Sequence, residues 1–330
     1  MKSNLIFANR FEDFAKIFLA TLIVFIFMMM TDVLVSSTAF LLITIYFLDG
    51  GHVYSTLLEV LADPEEVRKK YVWIVLLGSF FLNFIIHLFF TGYFFYYIFY
   101  FTIYHNMRQG LGVTFLYRLG EKRSANIVKW SYYFLTLVPL VLFHMKAPLL
   151  KGKLEEALFK PIDLYQFFSA QALETAFRSG LIIYTVGAIA IAIYLIVQKN
   201  VRGFLSMLFF TTVYTYAFLI SDNEFKSYAL LIFSHAIPYY FLMEKRLGIT
   251  HKLNFMQKYA WLFLLIIFTI GGVLEYHQRD IVTLLEPMDS LALALLTTPL
   301  ISHFIYDAIL WKRGNERFKA FVDNGRTQTL

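Results

Sequence analysis

A pair of residues near the end of the chain has the spacing of a metal site. His303 and Asp307 lie four residues apart inside a long apolar run. On a helix, residues four apart share a face, so the imidazole and the carboxylate would lie one above the other. Ionisable side chains are costly to bury in an apolar helix, and they therefore indicate a functional site. The spacing suits metal binding or proton transfer.

Three further histidines and a second carboxylate extend this pattern. Asp49 and His52 lie three residues apart, His105 follows an aromatic run, and His235 lies three residues before Pro238. Each histidine falls on a predicted membrane span that runs towards the cytoplasmic side. If these spans form one bundle, the imidazoles and carboxylates converge in its cytoplasmic half. The predicted metal ligands are His52, His105, His235, His303, Asp49 and Asp307.

The composition restricts which metals these residues could bind. The chain has no cysteine, so only nitrogen and oxygen ligands are available. Imidazole and carboxylate suit iron, manganese, copper and zinc, and a set with open positions is typical of iron sites that activate oxygen. The predicted cofactor is therefore a divalent transition metal, with iron first. Arg108 and Gln109 are the predicted catalytic residues, because they could bind the polar head of a substrate.

The sequence around the histidines favours a functional site over isolated polar residues. Pro238 and Pro299 each remove an amide donor near a histidine, so both helices are expected to kink there. Gly50 and Gly51 allow another backbone to approach closely beside His52.

A structural role is the alternative for these residues. Histidines in membrane helices form hydrogen bonds between helices, and Asp307 could pair with Lys312 or Arg313. The remaining four histidines are predicted to lie at span ends or in a loop, without a special role. They are His87, His144, His251 and His277.

The composition also predicts the elements that carry these residues. Of the 330 residues, 59% are hydrophobic and 16% are charged, whereas soluble domains are about 45–50% apolar. We therefore expect an all-α integral membrane protein in which residues 1–330 form one polytopic domain. Ten spans long enough for a bilayer are predicted at 14–31, 33–52, 71–90, 91–107, 127–146, 180–198, 202–220, 227–244, 258–276 and 290–311.

The basic residues predict the orientation of this bundle. With the N-terminus inside, 22 of the 29 Lys and Arg residues lie on the cytoplasmic side. They include the segment Lys245–Lys258. Cytoplasmic loops of membrane proteins are enriched in such residues. Both termini are therefore predicted to be cytoplasmic, in the plasma (inner) membrane. The basic residues are spread over many loops, which argues against nucleic acid as a partner.

Two segments between the predicted spans contain more charged residues than the spans themselves. Residues 147–179 are predicted to form an extracytoplasmic interfacial helical segment, because charged and apolar residues alternate there. Residues 108–126 are predicted to be a basic cytoplasmic loop. This loop could bind anionic lipid heads or a soluble electron donor.

At the level of class, the chain resembles the histidine-motif membrane oxygenases. This group includes the fatty-acid desaturases and hydroxylases and the membrane carotene dioxygenases. The resemblance is carried by His52, His105, His235 and His303 and by their predicted positions on the cytoplasmic side. It implies a metal-dependent oxidase, hydroxylase or desaturase acting on a lipid or isoprenoid. The paired HxxxH and HxxHH boxes of desaturases are absent, so no residue role is transferred.

Two other classes of function remain open. The same residues could form the relay of a transporter or channel for protons or a metal ion. The chain could also be a non-catalytic membrane subunit of a larger complex. The sequence contains no phosphate-binding GxxxxGK[ST] loop, HExxH helix or GxSxG turn.

Overall fold

The part of the chain that the structure describes is mostly helical. The structure is a computed structural model, and it describes residues 6–7, 9–30, 40, 42–118, 125–146, 164–250, 254–277, 280, 288–312 and 315–327. These ranges contain no strand. The α-helices are α1 (Arg10–Phe14), α2 (Ala20–Met30), α3 (Gly51–Ala62), α4 (Lys70–Tyr117), α5 (Ala125–Met145), α6 (Leu164–Phe167), α7 (Ala170–Val197), α8 (Val201–Thr215), α9 (Glu224–Thr250), α10 (Asn254–Lys258), α11 (Ala260–Tyr276), α12 (Asp289–Leu310) and α13 (Glu316–Thr327). The π-helical segments are Ala15–Leu19, Leu42–Gly50 and Tyr216–Ile220.

Six helical segments in the described residues are long and apolar enough to cross a membrane. They are Phe11–Met30, Lys70–Tyr117, Ala125–Met145, Ala170–Val197, Val201–Ile220 and Asp289–Leu310. On α7, Ile182, Ile189 and Ile193 are each more than half exposed, a surface that suits lipid better than water. The all-helical architecture is thereby confirmed. The membrane location, the orientation and the count of ten spans stay predictions.

Helix α4 consists of two segments that fold back on each other at Phe90. The backbone of Phe90 is non-helical, with φ −135° and ψ 41°. Along a continuous helix, Asn83 and Tyr97 would lie about 21 Å apart. Instead, the Tyr97 hydroxyl donates to Asn83 Oδ1 at 3.4 Å. The chain therefore turns back where the spans 71–90 and 91–107 were predicted to meet.

The first part of the predicted cytoplasmic loop 108–126 is helical. Helix α4 continues to Tyr117, so residues 108–117 are helical. Leu111 and Leu116 are buried within this stretch, and their packing stabilises the helix beyond the predicted boundary.

Much of the predicted interfacial segment 147–179 lies outside the described residues, namely 147–163. Its last part, residues 170–179, forms the first turns of α7. This helix begins where Ser169 caps it, since the Ser169 side chain accepts a hydrogen bond from the amide of Ala172 at 3.2 Å.

The chain divides into two compact units. Unit 1 comprises Met1–Ile17, Ser36–Thr102 and Ala236–Leu330. Unit 2 comprises Phe18–Val35 and Ile103–His235.

In unit 1, α3 and the π-helical segment before it pack closely against α11. A Cβ atom on Gly51 would lie 2.5 Å from the Cα of Phe268, and one on Gly271 would lie 2.8 Å from the carbonyl oxygen of Gly50. Only glycine fits at such distances. The close backbone approach that was predicted beside His52 is thus confirmed.

Helix α3 also packs against α12 in unit 1. Leu57 and Val60 of α3 share a buried cluster with Tyr306 and Leu310 of α12. The first segment of α4 joins this cluster, because the Tyr306 hydroxyl donates to the carbonyl of Val72 at 2.7 Å. Helices α3, α4 and α12 are thereby held in register.

In unit 2, α5, α7 and α8 pack against one another. The hydroxyls of Tyr184 on α7 and Thr215 on α8 are hydrogen-bonded at 2.6 Å. A Cβ atom on Gly187 would meet the ring of Phe134 on α5 at 2.6 Å, so this glycine permits a close crossing.

Candidate metal centre

Helix α3 presents one buried polar face. His52, Thr56 and Glu59 follow one another at spacings of four and three residues, which repeat on one side of an α-helix. Each of the three is at most 1% exposed. Because polar side chains are costly to bury without partners, this face requires polar groups from neighbouring helices. Helices α9 and α12 supply them.

His303 and Asp307 lie one turn apart on α12, and both are buried. The helix contains Pro299, which has no amide hydrogen for the carbonyl of Leu295. His303 Nδ1 donates to the carbonyl of Leu300 at 2.8 Å. Since a carbonyl only accepts, Nδ1 carries the hydrogen, and Nε2 carries the lone pair of the neutral ring. This bond orients the ring in the way that metal-binding histidines are usually held.

Within unit 1, His52, His303 and Asp307 bring their donor atoms together. One nitrogen of each ring and one carboxylate oxygen lie within 4.8 Å of one another. The two imidazole rings meet edge to face, with centroids 4.9 Å apart. Metal–ligand bonds of about 2.0–2.2 Å place opposite ligands about 4 Å apart. This buried group could therefore hold a metal ion after a small adjustment of its side chains.

Two hydroxyl groups orient the carboxylate of Asp307. Thr56 Oγ1 and Tyr239 Oη each donate to Asp307 Oδ1 at 3.0 Å. These two hydroxyls also lie within hydrogen-bonding distance of each other. The ring of Tyr239 packs edge to face on His52, with centroids 4.2 Å apart. Thr56 and Tyr239 thus position a carboxylate and an imidazole together, as outer groups do around metal ligands.

A buried ion pair completes the polar interior of unit 1. Arg246 Nε lies 3.1 Å from Glu59 Oε1, and the two side chains are 0% and 2% exposed. The guanidinium also lies 4.8 Å from the ring centroid of Trp311. Arg246, which belongs to the predicted cytoplasmic segment Lys245–Lys258, is therefore a buried residue of unit 1. The ion pair and the aromatic ring compensate its burial.

This pairing determines the charge of the site. Glu59 and Arg246 neutralise each other, so a deprotonated Asp307 with two neutral imidazoles carries one negative charge. A buried carboxylate of this kind is stabilised by a bound cation.

Two other predicted ligands belong to unit 2. His105 lies on α4 and is buried. His235 lies on α9, and its Nδ1 donates to the carbonyl of Leu231 at 2.8 Å. The role of both histidines as metal ligands stays a prediction.

One predicted ligand in unit 1, Asp49, lies away from the metal-binding group. Asp49 is not in the converging group, and its carboxylate lies near Glu275. The π-helical segment that ends at Gly50 widens the helical turn, which moves Asp49 away from the face of His52.

The two predicted catalytic residues have partners in unit 2. Arg108 is exposed, and it donates to the hydroxyl of Tyr133 at 2.8 Å. Gln109 Nε2 donates to the carbonyl of His235 at 3.4 Å. Their catalytic role stays a prediction.

The histidines without a predicted role differ in their burial and in their partners. His87 is buried and hydrogen-bonded to Ser290, whereas His277 is exposed and lies beside Asp280. His144 stacks edge to face on Phe143. His251 lies outside the described residues.

Sequence reasoning missed four residues of the site, namely Thr56, Glu59, Tyr239 and Arg246. Glu59 lies two turns after His52, and Arg246 lies two turns after Tyr239, so each pair shares one helical face. That spacing was a usable signal for Glu59 and Arg246. Thr56 also shares the face of His52, but threonine is common in membrane helices, so its residue type did not indicate a site.

No protein-family model, no curated protein and no solved structure matches the chain. The fold and the site therefore define a class only. In the residues that the structure describes, the chain is all-helical, with six helices apolar enough to span a membrane and a buried His–Asp group that could hold a metal ion.

Proposed function

We propose that this protein is a membrane metalloenzyme with a divalent transition metal bound by His52, His303 and Asp307. The single observation that carries the proposal is the convergence of these three donor groups within 4.8 Å in a buried part of unit 1. Two histidines and one carboxylate with open positions are the ligand set of non-haem iron(II) oxygenases. The reaction class is therefore an oxygen-dependent oxidation, hydroxylation or desaturation. Iron is the first metal to test.

The surroundings of the site support a lipid or isoprenoid substrate. The helices that carry the donor groups also bury apolar and aromatic side chains, such as Leu57, Tyr306 and Leu310. A hydrophobic molecule would reach such a site from the bilayer without crossing water. The electron donor would be a soluble protein or a partner membrane subunit.

Metal analysis of purified protein tests this proposal. Detergent-solubilised wild type, His303→Ala and His277→Ala would be analysed by mass spectrometry of the elements. His277 is the matched control, because it is exposed and lies beside Asp280. We expect one metal ion per chain in wild type and in His277→Ala, and a loss of at least tenfold in His303→Ala. Equal metal content in all three proteins would reject the site.

The ligand set has a spectroscopic test. Anaerobic protein loaded with iron(II) would be treated with nitric oxide and examined by electron paramagnetic resonance. An open iron(II) position gives a high-spin nitrosyl signal, which should be lost in Asp307→Ala. His105→Ala and His235→Ala would show whether either histidine from unit 2 is also a ligand.

A transporter or channel for protons or a metal ion is the second candidate. One observation favours it: buried polar residues continue along α4 and α12 beyond the metal-binding group, among them Asn83 and Thr298. Metal or proton flux into proteoliposomes, without turnover of a lipid, would support this candidate over the enzyme.

A further inference from the structure

The first segment of α4 and helix α12 lie side by side in opposite directions. Val72 meets Tyr306 at one end, with a hydrogen bond of 2.7 Å. His87 meets Ser290 at the other end, with 2.9 Å between His87 Nδ1 and Ser290 Oγ. The two contacts are 15 residues apart on α4 and 16 residues apart on α12. The helices therefore keep one register along their length, about 23 Å at 1.5 Å per residue.

A polar stripe runs along α4 within this pairing. Ser79, Asn83 and His87 follow one another at intervals of four residues, so they share one helical face. They are 2%, 0% and 4% exposed. His87 contacts Ser290 of α12 and also packs on the ring of Phe94, so the stripe lies where the first segment of α4 meets both α12 and the second segment of α4. The Tyr97 hydroxyl donates to Asn83 Oδ1 from the second segment of α4.

Helix α12 places polar residues at matching levels. By the register of the two helices, Ser79 lies level with Thr298, about 12 Å deeper than the contact of His87 with Ser290. Thr297 and Thr298 are both buried. Their hydroxyls donate to the carbonyls of their own helix, so the oxygen lone pairs can still accept a hydrogen bond. Ser302 and then His303 follow on α12.

Two atoms of the α4 stripe indicate that a further polar group lies beside it. Ser79 Oγ and Asn83 Nδ2 are buried and have no hydrogen-bond partner among the described residues. A buried polar group without a partner costs about 1–3 kcal/mol in general. Such groups in native proteins are usually satisfied by internal water.

We infer that unit 1 contains a hydrated polar path that brings water and protons from the His87–Ser290 end to the His–Asp group. The path follows His87, Asn83, Ser79 and Thr298, and it reaches His303 about 20 Å from Ser290. It deepens the proposed function, because oxygen reduction at a buried metal consumes protons. It would serve equally a proton-coupled transporter that uses the same group. Water is the molecule that occupies this path, whichever metal the His–Asp group binds.

Radiolytic hydroxyl-radical labelling tests the hydration directly. X-rays convert bound water into radicals that oxidise adjacent thiols, and the chain contains no cysteine of its own. Ser79→Cys is nearly isosteric and places a reactive group on the path. The matched control is Leu82→Cys on the same helix, where the Leu82 side chain is 43% exposed and would face lipid. Mass spectrometry of protein in lipid nanodiscs would give the oxidation rate at each position.

We expect Ser79→Cys to oxidise at least tenfold faster than Leu82→Cys. Adding Asn83→Leu to Ser79→Cys should remove most of this oxidation, since the leucine replaces an amide that holds water. Equal rates at positions 79 and 82 in protein that elutes as one monodisperse peak would overturn the inference. Metal content is measured separately on the same samples, so a dry path and an absent metal site are distinguishable.

Discussion

At the scale of single residues, the buried pair of Glu59 and Arg246 has a large expected effect on stability. Both side chains are almost completely buried, and their charged atoms lie 3.1 Å apart. Removing one partner leaves the other charge uncompensated in a medium that solvates it poorly. Glu59 also shares a helical face with His52, so the pair helps to fix the helix that carries a metal ligand.

Glu59→Gln is expected to lower the free energy of unfolding by about 3–5 kcal/mol. Thermal or denaturant unfolding of the detergent-solubilised protein measures the loss. Glu174→Gln is the control, because Glu174 and Arg178 form an exposed pair with side chains 38% and 75% exposed. The control should lose about 1 kcal/mol or less.

The double variant Glu59→Gln with Arg246→Met separates the lost charge from lost packing. Methionine leaves no cation behind, so the double variant should recover much of the stability lost in Glu59→Gln. A double variant that is less stable than the single one would show that packing, and not charge compensation, explains the effect.

At the scale of elements, the crossing of α3 and α11 positions His52. The two helices approach so closely that a methyl group on Gly51 would overlap Phe268, with its Cβ atom 2.4 Å from the ring and 2.5 Å from the Cα. The Cα belongs to the backbone of α11, so the clash cannot be relieved by rotating a side chain. The helices would have to move apart, and His52 would move with α3.

Gly51→Ala is therefore expected to destabilise the protein by about 1–3 kcal/mol and to reduce its metal content. Gly78→Ala is the matched control, since a Cβ atom at Gly78 would have no neighbour within 4 Å. In a helix interior this control should gain about 0.5–1 kcal/mol. Unfolding midpoints and metal content of both variants provide the measurement. A Gly51→Ala variant with the unfolding midpoint and metal content of wild type would contradict the close crossing of α3 and α11.

At the scale of the whole molecule, the distribution of charge predicts which side of the membrane each end of α7 faces. Ser169 precedes this helix and Lys199 follows it, and both residues are exposed. The excess of basic residues on one side predicts that Lys199 is cytoplasmic and that Ser169 is outside.

Single cysteines can test this orientation, because the chain has none of its own. In intact cells, a membrane-impermeant maleimide should label Ser169→Cys and should label Lys199→Cys only after the cells are opened. The reverse pattern would invert the orientation. Labelling of both variants in intact cells would show that α7 does not span the membrane.

The long apolar helices could be predicted from sequence, because each of them depends on a local pattern. Apolar residues continue for about 20 positions in spans such as 127–146, and the structure has a helix there, Ala125–Met145. The same local argument placed His303 and Asp307 one turn apart, since helical geometry alone brings residues i and i+4 together. The absence of cysteine restricted the possible ligands to nitrogen and oxygen.

Local reasoning failed where the backbone departs from α-helical geometry. The three-residue spacing of Asp49 and His52 predicts that they share a face of an α-helix with about 3.6 residues per turn. The π-helical segment Leu42–Gly50 changes that period, and Asp49 lies near Glu275 instead. Nothing in the spacing of these residues indicates a π-helical turn.

The sequence by itself therefore determined an all-helical chain with apolar helices, its ligand types and the pair on α12. Only the tertiary structure decided that His52 meets this pair, that Thr56 and Tyr239 hold Asp307, and that Arg246 is buried. The physical reason is the range of the interactions. Helix formation depends on hydrogen bonds and side chains within a few residues, whereas the partners of a buried polar group depend on which helix faces can pack closely, as α3 and α11 do at their glycines.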